Sequence, residues 1–176
     1  MAAAFFRQAA RDLPVTVSSL GTLDLGAIPP LPEALVLGRQ LGVDLSAHRT
    51  RTLTGNDLSQ ADLVLGFERM HVITALVEGR APGERVFTLP ELLVLLEDAS
   101  LPSAAEPLKR ARVALAHAQR RRPSNPESIG RPELADPIGG SGDVYRKTAA
   151  AVREQTERLA ALLFGTSTAA ATSGTG

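Results

Sequence analysis

The chain has 176 residues, 44% of them hydrophobic and 22% charged, with 19 basic against 19 acidic side chains. This suits one soluble globular domain with a sizeable core, and the balanced charge supplies no global field to draw nucleic acid or an anionic membrane surface. With no cysteine and three scattered histidines, these residues offer no disulfide, thiolate metal site or cysteine nucleophile, and no transition-metal set.

The segment Ala2 to Leu13 carries Phe5, Phe6, Ala9 and Leu13 at helical spacing, with no capping side chain ahead of it. Met1 to Arg7 lacks the basic start of a signal peptide, and no apolar run nears the roughly 20 residues of a membrane span. The expectation is a cytoplasmic protein. Pro14 to Ser19 is β-branched and bounded by Pro14 and Gly21, which reads as a short strand. A helix is expected from Pro32 to Gly42, with Leu35, Gly38 and Leu41 facing inward and Gly42 as its C-terminal cap. Ala61 to Gly66 is almost wholly apolar, as in a strand buried on both faces of a parallel sheet.

Helix is expected over 68–79, strand over 85–89, and helix again from Leu92 and from Glu106 to Arg122. The polar, proline-rich stretch 123–132 reads as loop. A last amphipathic helix has Val144, Thr148, Ala151, Val152, Gln155, Leu159 and Leu163 on its core face and ends at Gly165, and 166–176 reads as a disordered tail. Strands alternating with helices argue for an α/β domain over 1–165 with a parallel sheet, in which ligands bind beyond the carboxyl ends of the strands.

The sequence Leu134-Ala135-Asp136-Pro137-Ile138-Gly139-Gly140-Ser141-Gly142-Asp143 holds an acid before a proline in a glycine-rich loop. Proline keeps Asp136 extended and the glycines leave its carboxyl uncovered, so the loop can present an acid to a substrate; an ordinary Asp-Pro turn into a helix has the same pattern. His48 reads as a buried hydrogen-bonding residue that fixes its turn, and His71 and His117 as surface residues. Lys109, Arg110, Arg112, Arg120, Arg121 and Arg122 read as a solvated helix face, with capture of phosphorylated or nucleic-acid partners as the lesser reading.

Four stretches resemble the low-molecular-weight protein tyrosine phosphatases over roughly residues 1 to 165. Met1-Ala2-Ala3-Ala4-Phe5-Phe6-Arg7 looks like the helix after that family's phosphate loop. Ser19-Leu20-Gly21-Thr22 resembles the stretch after its second strand. Gly42-Val43-Asp44-Leu45-Ser46-Ala47-His48-Arg49-Thr50-Arg51 is close to a Gly-Ile-Asp-Leu-Ser-x-His-Arg pattern, and Ala61 to Leu65 resembles the third strand, while Asp136-Pro137 falls where the family keeps its general acid. The resemblance implies a flavodoxin-like three-layer sandwich and two-step hydrolysis of phosphotyrosine monoesters through a phosphocysteine, without cofactor or metal. It also implies Asp136 as the acid, Ser19 as support for the phosphate loop, and a phosphotyrosine protein or small phosphomonoester as partner, with neither nucleic acid nor membrane. Ile138 and Gly139 stand where some members carry pocket tyrosines, so substrate preference is not carried over.

The family's Cys-x5-Arg loop and first strand precede the residues matched by Met1. A start assigned at an internal methionine and a naturally shortened relative both fit; the first is favoured, because loss of a central strand leaves apolar surface and strand edges open. As written the chain is expected to be inactive. The alternative function is a non-catalytic, phosphatase-like binding or regulatory protein.

Overall fold

A computed structural model describes residues 1–97, 99–102, 106–124, 133–134 and 142–165. In chain order these form α1 (Ala2–Ala9), α2 (Pro32–Gln40), β1 (Val64–Gly66), α3 (Arg69–Val77), a 3-10 turn (Gly83–Arg85), β2 (Val86–Thr88), α4 (Leu89–Leu96), α5 (Pro107–Arg121) and α6 (Gly142–Phe164). The expected tail 166–176 lies outside the described residues. So do Asp136 and the rest of 135–141.

β1 and β2 pair in parallel, Val64 with Val86, Leu65 with Phe87 and Gly66 with Thr88. Side chains alternate across a strand, so each sheet face has its own core. Val64 and Val86 face a cluster with Leu53, Ala75 and Ala81 under α3. Leu63 and Phe87 face the main cluster, which α4, α5 and α6 supply with Leu92, Leu96, Ala114, Ala118, Leu159 and Leu163. Phe6 and Phe164 meet edge to face, centroids 5.8 Å apart, where α1 lies on α6. The result is helices on both sides of a parallel sheet.

α4 begins three residues earlier than its apolar run suggests. Thr88 accepts from the Glu91 amide and Glu91 accepts from the Thr88 amide, each at 3.1 Å, so a reciprocal capping box sets its start. α2 stops as expected. Gly42 sits at φ +83°, its amide bonds the Arg39 carbonyl, and the Val43 amide returns to the Gly38 carbonyl at 2.8 Å. This is the paired closure that a left-handed glycine permits at a helix end. A Cβ on Gly38 would lie 3.0 Å from Leu45 Cδ1 and 3.1 Å from the Val43 carbonyl oxygen. Because the closure fixes the Val43 peptide, crowding outweighs the helix-propensity gain of about 1 kcal/mol. Gly38→Ala is therefore expected to destabilise by about 1 kcal/mol in urea unfolding.

The expected strand over 14–19 forms no ladder. Val15, Val17 and Ser19 are half-buried and alternate with exposed Pro14, Thr16 and Ser18, so the pleat is present without a partner. The only pairing nearby is a single bridge between Gly21 and Thr52. A strand needs a neighbour for its backbone groups as well as a pattern, and among the described residues neither β1 nor β2 adjoins this segment.

Candidate functional site

The carboxyl end of β1 is where this kind of sheet presents ligands. Gly66 turns the chain there; a Cβ on it would come within 2.8 Å of His71 Cβ and 3.2 Å of the Glu68 carbonyl oxygen. His71 then caps α3, its Nδ1 accepting from the Phe67 and Glu68 amides, each at 3.3 Å. Nδ1 as acceptor puts the ring proton on Nε2. His71 is thus a half-buried cap and not a surface residue; its placement three residues after Glu68 is the capping-box spacing that would have revealed it.

Two residues of the acid-bearing loop are stitched to the same strand end. The Leu134 amide donates to the Phe67 carbonyl at 3.0 Å, and Glu133 Oε1 accepts from the Arg69 amide at 3.0 Å. Leu134, Phe67 and Met1 share the second apolar cluster with buried Phe5, Val43, Leu45 and Val152. The end of β1, the start of α1 and the polypeptide just ahead of Asp136 therefore converge.

At the start of α1 the Met1 carbonyl accepts from the Ala4 and Phe5 amides, and no side chain caps the helix. Apolar surroundings push the terminal amine below its ordinary pKa, and the Arg7 guanidinium pushes it further. His48 is lowered too, first by burial, then by the terminal ammonium, Arg7, Arg49 and Arg51. The 44–49 turn is held by other groups than the imidazole. Asp44 accepts from the Ser46 amide at 2.8 Å and from its hydroxyl at 2.9 Å, and Arg49 donates to the Ser46 and His48 carbonyls at 2.9 and 2.7 Å. These bonds to its charged form hold the Asp44 carboxyl below the usual carboxylate range.

His48's lowered pKa has a testable consequence. The unfolded imidazole, near pH 6.5, binds protons that the folded one refuses, so stability falls as pH drops through that value. His48→Gln is expected to flatten the loss of melting temperature between about pH 7.5 and about pH 5.5; an unchanged slope would place the sensitivity elsewhere.

Ser19 is half-buried. Two residues on, Gly21 donates to the Arg51 carbonyl and accepts from the Leu53 amide, both at 2.8 Å. Asp136 lies outside the described residues. Three members of the basic run at 109–122 are held by the fold, while Lys109, Arg112 and Arg120 are exposed. Arg110 donates to the Leu162 and Pro102 carbonyls, and Arg121 to the Glu97 carbonyl. Arg122 pairs with Glu91 and stacks on Phe87. These arginines tie chain segments together and do not form a free anion patch. His117 is half-buried, with Nε2 unpartnered among the described residues.

A helix start with open amides, cationic groups around His48 and the approach to an acidic loop make an arrangement suited to a phosphate group. Among the described residues no group of His, Asp and Glu could hold a metal ion, and no helix is long and apolar enough to cross a membrane.

No family model matches the sequence. Over 66 residues, 37% of this chain, it is 44% identical to the probable low molecular weight protein-tyrosine-phosphatase EpsP of Ralstonia solanacearum and covers 43% of that protein. The same length is 42% identical to EpsP of Ralstonia nicotianae, again covering 43% of it. The match thus spans less than half of these curated relatives. Among solved structures, the low molecular weight protein tyrosine phosphatase of T. tengcongensis superimposes with a TM-score of 0.61 at 22% identity, over 90% of this chain and 86% of that one. A mutant of YwlE from Bacillus subtilis gives 0.61 at 25% identity, over 90% and 85%. The α/β architecture is that of the flavodoxin-like phosphatases, and over the matched 66 residues the sequence is similar to low molecular weight protein-tyrosine-phosphatases.

Proposed function

We propose that these residues are the frame of a phosphotyrosine monoesterase, with Asp136 as its general acid. The nucleophile would come from a Cys-x5-Arg loop leading into α1. The observation that carries this reading is the bond from the Leu134 amide to the Phe67 carbonyl, which ties the approach to Asp136 to the strand end facing the start of α1. A phosphate dianion repels anionic nucleophiles, so it needs open amides and cations around it before a thiolate can attack. The phenolate departs more readily when a carboxylic acid gives it a proton as the bond breaks. Ser19 would steady the loop by hydrogen bonding. The substrate would be a phosphotyrosine protein or a small phosphomonoester, met in the cytoplasm.

The 176 residues contain no cysteine, so by themselves they cannot form a phosphocysteine. The test compares hydrolysis of p-nitrophenyl phosphate by this chain with hydrolysis by the same chain carrying a strand and a Cys-x5-Arg loop ahead of residue 1. The reading expects turnover only from the longer protein, abolished when that cysteine becomes serine. A folded longer protein without turnover would favour the non-catalytic binding role instead.

A further inference from the structure

Four amides at the start of α3 find partners within the same turn. Those of Phe67 and Glu68 donate to His71 Nδ1, and those of His71 and Val72 to the Glu68 carbonyl, at 3.1 and 3.4 Å. The Arg69 amide is different. It donates to Glu133 Oε1, 64 residues along the chain. A helix needs partners for its first amides, and residues beside it ordinarily supply them. Here a distant carboxylate does so through a charge-assisted bond, at the helix end that favours negative charge. The next residue, Leu134, donates its amide to the Phe67 carbonyl at 3.0 Å, so consecutive residues are bonded to 67 and to 69. One bond fixes a point and leaves the chain free to swivel about it; a second also fixes its direction. Asp136 follows three residues after Glu133, in a run whose Gly139, Gly140 and Gly142 impose no direction of their own. Three residues span at most about 11 Å, so the anchor limits where position 136 can lie.

We propose that Glu133 is a positioning residue for Asp136: its carboxylate, seated on the Arg69 amide, sets the direction in which the chain leaves the end of β1 toward the acid. The role rests on the functional reading above, in which Asp136 is the general acid. A proton passes to a leaving phenolate only from within about 3.2 Å, so a small swing of the loop costs acid catalysis without touching phosphate binding. Leu134 alone does not prevent that swing. Its side chain packs with Phe67 and Met1 and holds the loop down, but apolar contact is non-directional. The seat also accounts for the residue type. Aspartate is one methylene short of it, whereas glutamine keeps the accepting oxygen and loses only the charge.

The test has two arms. In the 176-residue chain, Glu133→Ala is expected to speed amide hydrogen exchange at Arg69 and Leu134 about tenfold, with α5 unchanged. Unchanged exchange at both amides would overturn the proposal before any chemistry is measured. In protein that also carries the Cys-x5-Arg loop, Glu133→Ala is expected to lower kcat on phenyl phosphate about tenfold. KM, and the rate on p-nitrophenyl phosphate, are expected to stay within about twofold. Glu133→Gln is expected to recover most of the loss. Added to Asp136→Asn, Glu133→Ala is expected to cost nothing further, because it acts only through the acid. An equal loss on both esters, or a further loss in the double variant, would make Glu133 a structural cap alone and overturn the proposal. Failure of the functional reading has its own mark. Asp136→Asn by itself would then slow both esters equally while Glu133→Ala still speeds exchange, and the positioning role would fall with the acid.

Discussion

In protein that also carries the Cys-x5-Arg loop, Asp136→Asn is expected to slow hydrolysis of phenyl phosphate by about two to three orders of magnitude. The same change is expected to slow p-nitrophenyl phosphate far less. The asymmetry follows from the leaving groups. Phenolate is a poor one and needs a proton as the P–O bond breaks, whereas nitrophenolate leaves with little help. Asparagine matches the carboxyl in size and has no acidic proton. Steady-state rates on the two esters, before and after substitution, give the ratio; an equal loss on both would remove Asp136 from the role of acid.

Arg122→Ala is expected to destabilise the fold by about 3 kcal/mol, more than any exposed charge change. Arg122 follows α5 and gathers four partners. Its Nε meets Glu91 Oε1 at 2.9 Å and Nη2 meets Oε2 at 3.2 Å, a two-pronged pair with side chains 27% and 17% exposed. Nη1 donates to the Gly83 carbonyl at 3.0 Å, Nη2 donates to the Val86 carbonyl at 2.5 Å, and the guanidinium stacks 3.9 Å from the Phe87 ring centre. One side chain thus ties α5, β2 and the cap of α4 together. Removing it leaves the Glu91 carboxylate half-buried without its cation, though still accepting from Thr88. Thermal unfolding is expected to show a fall of roughly 6–12 °C. Arg122→Lys recovers only part of this, since an ammonium cannot fork or stack as a guanidinium does. Arg153→Ala, which breaks an exposed pair with Glu157, serves as the control and is expected to change stability by about 0.5 kcal/mol or less.

The helices were the most legible part of the chain because their pattern is local. Phe5 is 1% exposed as the apolar stripe of α1 suggested, although Ala9 of the same stripe is exposed and Ala10 is buried instead, and Gly42 closes α2 as its position suggested. The start of α4 was also legible, since Thr88 and Glu91 spell a capping box, but the leucine run drew the boundary three residues late. Pairing was harder to see. Segment 14–19 has the alternation of a strand, yet whether it joins a ladder depends on a neighbour that its own residues do not encode. Whereas Lys109, Arg112 and Arg120 are exposed as expected, Arg110, Arg121 and Arg122 of the basic run were misread for a related reason. Their partners, the Leu162, Pro102, Glu97 and Val86 carbonyls, lie far along the chain, and a run of charge carries no record of them. At the site, His48 was expected to fix its turn, but Asp44 and Arg49 hold it, which leaves His48 among cations.

The central claim is that the start of α1, the end of β1 and the Asp136 loop surround one phosphate. A crystal structure with bound vanadate, of the protein carrying the Cys-x5-Arg loop, tests this most directly. The account predicts vanadate at the start of α1, with an Asp136 carboxyl oxygen about 2.6–3.2 Å from its apical oxygen. Asp136 turned to solvent and out of hydrogen-bonding reach of the bound vanadate would contradict it.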